Sequence, residues 1–141
     1  MLKIELRQLF RSNGLIDDFV LFGKPEDYVA FSAHVAEATT SEKPVVLRSD
    51  SNVIIEISLD EGMPELFTSL QNARDEYFSM DAWNARDILR MMGSSEVLCE
   101  LSSFLFELST RGNGYSYLSE FSTSMRCSAE SPSWRLHVID P

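Results

Sequence analysis

With 141 residues, 44% of them hydrophobic and 24% charged, the chain has the composition of one ordinary globular domain, which argues against disorder as its dominant state. Twenty-two acidic residues against twelve basic ones give a net charge of −10, a field that opposes nucleic acid and anionic lipid and attracts a cationic partner. The longest apolar runs are far too short for a bilayer, and the opening MLKIELRQLF lacks the apolar centre of a signal peptide, so a cytoplasmic protein is expected.

Leu2, Ile4 and Leu6 alternate with Lys3, Glu5 and Arg7, the period-2 pattern of a half-buried strand. Asn13-Gly14 then signals a hairpin turn, because such turns need positive φ at their central residues. The segment LIDDFVLFG returns as the second strand, closed by Gly23. Pro25 suits the first turn of a helix, and Tyr28, Phe31 and Val35 follow at helical spacing. PVVLRSDSNVIIEISLDEG reads as a second hairpin, with Val53, Ile55, Ile57 and Leu59 on one face and Ile54, Glu56 and Ser58 on the other.

Met63, Leu66, Phe67, Leu70 and Ala73 recur at the spacing of a helical stripe and predict a second helix. Ala82, Ala85, Ile88, Leu89 and Met92 predict a third, ended by Gly93. SEVLCELSSFLFELST is the most strongly patterned helix, stopped by Gly112 and Gly114. YSYLSEFSTSM and SWRLHVID read as two closing strands, which puts His137 on an edge-type strand. The expected order is β-β-α-β-β-α-α-α-β-β: a single α+β domain over residues 1–141, its antiparallel sheet of about six strands covered by helices on one face. No internal repeat, linker or low-complexity tract is evident.

Little in the chain supplies reaction chemistry. Cys99 and Cys127 are too few for a disulfide framework, and Cys99 falls on the apolar side of its helix, so a buried free thiol is expected. His34 and His137 have no Cys or His at ligand spacing, so no metal or other cofactor is expected. No G-x-S-x-G, dinucleotide loop or phosphate loop is present, and the glycines of GNG at 112–114 follow a helix rather than a strand. Carboxylates do come in pairs, at Asp17–Asp18, Asp60–Glu61 and Asp75–Glu76. A carboxylate-based enzyme is therefore an alternative, but no catalytic residue is assigned.

Charge is unevenly distributed. Residues 50–81 hold eight acids (50, 56, 60, 61, 65, 75, 76, 81) and one base, Arg74, for a net of −7. Within that span RDEYFSMDAW sets Asp75, Glu76 and Asp81 among Tyr77, Phe78, Met80 and Trp83. On a helix starting near Asp81, Trp83 faces away from the apolar stripe and groups with Arg86, Asp87 and Arg90. An indole on a charged face is a common anchor for a protein partner, whereas Tyr77 continues the preceding stripe and belongs to the core. Burial and partner contact are equally open for Phe78 and Trp83. The candidate partner-binding set is Asp60, Glu61, Glu65, Asp75, Glu76, Phe78, Asp81 and Trp83.

In general character the chain resembles the single-domain immunity proteins that bacteria carry against their own polymorphic or contact-dependent toxins, chiefly through the acidic stretch from Asp50 to Asp81. The resemblance implies a non-catalytic protein, monomeric or homodimeric, that binds a basic toxin domain such as a nuclease and blocks it. Carboxylates would stand where substrate phosphates bind and would steer fast association. A small acidic α+β chain also resembles type III secretion chaperones, and VVLRSDSNVIIEISL is similar to their central strand pair. The amino-terminal helix those chaperones carry is replaced here by a hairpin.

Overall fold

The computed structural model describes residues 1–11, 14–71, 87–122 and 133–140. Among them are eight strands and two α-helices. The strands are β1 (Lys3–Arg11), β2 (Gly14–Gly23), β3 (Val45–Arg48), β4 (Ile54–Leu59), β5 (Phe67–Gln71), β6 (Ile88–Gly93), β7 (Gly114–Tyr117) and β8 (Ser133–Val138). The helices are α1 (Pro25–Ala38) and α2 (Ser95–Thr110), and a short 3₁₀ turn spans Leu118–Phe121.

The α+β class is as expected, but the sheet is not. Two four-stranded sheets form, in the orders β1-β2-β8-β7 and β3-β4-β6-β5. Both are mixed: the hairpins β1/β2 and β3/β4 are antiparallel as read from sequence, whereas β2 runs parallel to β8 and β4 parallel to β6. Residues 67–71 of the helix expected at 63–73 are instead β5, residues 88–93 of the expected next helix are β6, and residues 72–86 of the two lie outside the described residues. Short apolar runs satisfy helix and strand spacing alike. Here pairing decides, because β6 lies between β4 and β5 and buries Leu89 and Met91 completely. His137 accordingly lies on β8, a central strand and not an edge. YSYLSEF is a strand only to Tyr117 and then turns into the 3₁₀ segment.

A repeat invisible as sequence similarity is present in the topology. The described elements of residues 3–59 run β-β-α-β-β, and those of residues 67–138 run β-β-α-β-β again, with the 3₁₀ turn added before the last strand. Exchanging the halves (β1 for β5, β2 for β6, β3 for β7, β4 for β8) converts the strand order of one sheet into that of the other. The register agrees as well. Gly23 ends β2 opposite Val138, and Gly93 ends β6 opposite Leu59. Just beyond, the Ile139 N–H donates to the Gly23 carbonyl at 2.8 Å and the Asp60 N–H to the Gly93 carbonyl at 2.9 Å. Each sheet therefore combines one hairpin from each half.

The helices obey the same relation with an offset of 70. Buried Tyr28, Phe31, Val35 and Ala38 of α1 correspond to buried Leu98, Leu101, Leu105 and Leu108 of α2. Ser32 corresponds to Ser102, and the two meet where the helices pack. Each hydroxyl donates to the other's backbone carbonyl, at 2.7 and 2.9 Å, and the two Oγ atoms are 3.0 Å apart. Small residues let the helix backbones approach, and the reciprocal bonds satisfy hydroxyls in a half-dry contact. Gly23 and Gly93 precede the two helices for one shared reason. A Cβ on Gly23 would meet Tyr28 Cε2 at 3.1 Å and Leu2 Cδ2 at 2.6 Å, and one on Gly93 would meet Val97 Cγ1 at 3.0 Å. The strand end and the first helical turn are packed too closely for a side chain.

A single core joins both sheets and both helices. Trp134 on β8 is 2% exposed, packs edge-on against Phe19 and donates its indole N–H to Thr68 Oγ1 of β5 at 3.1 Å, which ties one sheet to the other. Tyr28 reaches from α1 to donate to the His137 carbonyl at 2.6 Å. Burial and the charge of Asp27 both push the Tyr28 hydroxyl above its ordinary pKa.

Candidate functional site: an acidic groove along α2

The expected partner-binding residues divide into two groups. Asp60, Glu61 and Glu65 are exposed in the connection between β4 and β5. Asp75, Glu76, Phe78, Asp81 and Trp83, together with Tyr77 and Cys127, lie outside the described residues. The connection is not free of the fold. Asp60 folds back to accept the Gly62 N–H at 2.9 Å, the Met63 carbonyl accepts from the Ser94 N–H, and Glu61 Oε1 accepts from the Ser95 N–H at 3.3 Å. Glu61 thus sits at the amino end of α2, where unpaired backbone N–H groups favour a carboxylate.

That helix is built as the sequence predicts. Ser94 caps it by accepting from the Val97 N–H, and Val97, Leu98, Leu101, Phe104, Leu105 and Leu108 form its buried stripe. On the flank of that stripe, Glu96, Glu100, Ser103 and Glu107 recur at three- and four-residue spacing. With Glu120 and Phe121 of the 3₁₀ turn they line an open groove of about 560 Å³. Phe104 and Phe121 are almost buried and make its apolar floor, while Glu96, Glu107 and Glu120 are exposed at its rim. Cys99 also lines this groove and is exposed, which corrects the expectation of a buried thiol. The apolar stripe is narrower than the sequence reading assumed, and Cys99 falls just outside it.

The groove already holds one cation. Arg111, one residue past the helix, bonds Glu107 Oε1 through Nη2 at 3.1 Å and Ser116 Oγ at 3.5 Å, with its guanidinium 5.8 Å from the centre of the Phe104 ring. A carboxylate edge and an aromatic face are the two surfaces a guanidinium prefers. Glu120 accepts the Tyr117 N–H at 2.8 Å, which closes the first turn of the 3₁₀ segment on itself. Glu96 and Glu100 are like charges one turn apart, an arrangement unfavourable to the helix by a few tenths of a kcal/mol, roughly. Chemically the groove suits binding of an ammonium or guanidinium over an apolar floor.

The histidines stand elsewhere. His34 is tied to the Ala30 carbonyl within α1. The His137 ring is stacked between Phe22 at 5.0 Å and Tyr115 at 5.3 Å on the outer face of its sheet. Among the described residues no three His, Cys, Asp or Glu side chains are grouped to hold a metal ion, and no helix is long and apolar enough to cross a membrane. The acidity concentrated in residues 50–81 draws attention from the acidic flank of α2, whose sequence signal is the spacing Glu96, Glu100, Ser103, Glu107 along one helix. In comparison with known proteins, the chain matches no protein family, no curated protein and no solved structure.

Proposed function

We propose that this protein is a non-catalytic binding protein of the immunity type, acting in the cytoplasm by occupying the basic surface of a cognate toxin domain. The observation that carries this reading is the α2 groove, an aromatic floor between carboxylates in a chain of net charge −10. Glu61 extends the acidic surface to the start of the helix, and Asp60 and Glu65 lie in the same connection. The groove's own Arg111 illustrates how a partner's arginine would be received, between a carboxylate and a ring. Long-range attraction would speed encounter, and apolar contact with the floor would slow release.

The test is capture of a partner from lysate of the source cell, at low and then high salt, with the full chain and with Glu96→Gln/Glu100→Gln/Glu120→Gln. One basic toxin-like protein, held by the native chain and weakened by salt and by the triple variant, supports the reading. Capture indifferent to both, or a hydrolytic activity abolished by a single carboxylate-to-amide change, would discard it in favour of a different surface or of an enzyme.

A further inference from the structure

The exchange of hairpins between the two halves has a consequence for self-association. Neither half completes a sheet alone. The parallel partner of β2 is β8 and that of β4 is β6, each supplied by the opposite half. The Ser32–Ser102 contact and the Trp134–Thr68 bond likewise join the first half to the second, or sheet to sheet. Only the segment from Asp60 to Leu66 connects the halves covalently, and Asp60, Glu61, Gly62, Pro64 and Glu65 are exposed.

We propose that the surface each half presents to the other also recognises a second copy of this chain, so that two chains exchange halves into an intertwined dimer. Each lobe of that dimer takes residues before Asp60 from one chain and residues after Leu66 from the other. Every strand pairing and both serine–carbonyl bonds are regenerated in each lobe. Closure within one chain dominates when protein is dilute, because the connection holds the halves at a high effective concentration. It fails when the connection cannot reach. β4 and β5 flank β6, so the connection must span two strand spacings, about 10 Å. The dimer carries two copies of the acidic groove, since all its lining residues come from the second half.

Two experiments decide the matter, one on a chain with a shortened connection and one on the full-length chain. Deleting Asp60–Glu65 leaves Leu66 alone between Leu59 and Phe67, a reach of about 7 Å, too short for closure within a chain. This variant is expected to be a dimer by light scattering, with the circular dichroism of the parent. The second experiment leaves the connection intact. Ser32→Cys/Ser102→Cys, in a background of Cys99→Ser and Cys127→Ser, is refolded at micromolar and at millimolar concentration and then oxidised. On a denaturing gel the dilute sample should be linked within the chain, and the concentrated one should show a growing fraction of covalent dimer. A shortened chain that stays a folded monomer would overturn the proposal. So would a cysteine pair that links only within one chain at every concentration, and that result decides alone if the shortened chain does not fold.

Discussion

Ser32 and Ser102, seventy residues apart, hold each other's carbonyls: each hydroxyl donates across the α1–α2 contact, and the geometry of one bond repeats the other. Because the bonds are reciprocal, removing one hydroxyl leaves the other in place with its acceptor. Ser32→Ala and Ser102→Ala should each cost about 1 kcal/mol, and the double variant should cost about the sum. Urea unfolding of the three variants checks this. Ser32→Leu should be far worse than either alanine, since it forces the helices apart.

Gly23 and Gly93 should differ in tolerance. Alanine at Gly93 meets the end of one valine, at 3.0 Å. Alanine at Gly23 meets Leu2 at 2.6 Å, Tyr28 at 3.1 Å and Asp27 at 3.2 Å, and so must displace side chains both on α1 and just ahead of β1. Gly23→Ala is expected to destabilise by roughly 1–3 kcal/mol and Gly93→Ala by less, both seen as lowered denaturant midpoints with unchanged slope.

The Trp134–Thr68 bond gives a sharper contrast. Thr68 is 1% exposed, so Thr68→Val keeps its shape but leaves a buried indole N–H without its acceptor. A loss of about 1–3 kcal/mol is expected, with Thr68→Ser recovering most of it. Equal losses in the two variants would show that packing, not the bond, matters at this position.

Stability should fall at both ends of the pH scale for identifiable reasons. Burial raises the Asp27 carboxyl, but hydrogen bonds and charge from the Met1 amino group at 2.8 Å and from Lys24 outweigh it, so its pKa lies below the ordinary 3.8. A depressed carboxyl stabilises the fold above its unfolded pKa, and that contribution is lost as pH falls below about 4. Tyr28 works in the opposite sense: its raised pKa favours the neutral phenol in the fold, so stability is lost as pH climbs above about 10. Asp27→Asn should flatten the acid limb and Tyr28→Phe the alkaline limb, in denaturation midpoints measured across pH.

Much of the first half was legible in the sequence. Alternation at Leu2–Leu6 and Val53–Leu59, Asn13-Gly14 between two strand patterns, and Pro25 at a helix start are local signals, and the elements they mark are local as well. The failures at 63–73 and 88–93 share a different cause. β5 and β6 are strands because of what flanks them: β6 lies between β4 and β5, and its partners on β4 are 34 residues away. The same limit hid the repeat. Over the span Gly23–Thr40 and Gly93–Thr110 only Gly, Glu, Ser, Glu and Thr coincide, at 23/93, 26/96, 32/102, 37/107 and 40/110. What the halves share is where burial falls, which tyrosine and leucine, or phenylalanine and leucine, can satisfy equally. The groove was half legible, since α2 and its acidic spacing were in view but its other wall, Glu120 and Phe121, is set by a turn the sequence read as strand.

Because each sheet draws one hairpin from each half, neither half can open while the other stays intact. Opening β8 removes the neighbour of β2, and opening β6 removes the neighbour of β4. Amide protons in β2, β4, β6 and β8 should then exchange with solvent through one common opening, at the free energy of global unfolding, rather than in two tiers assignable to two halves. A protease that cuts within either half and releases a hairpin dismantles both.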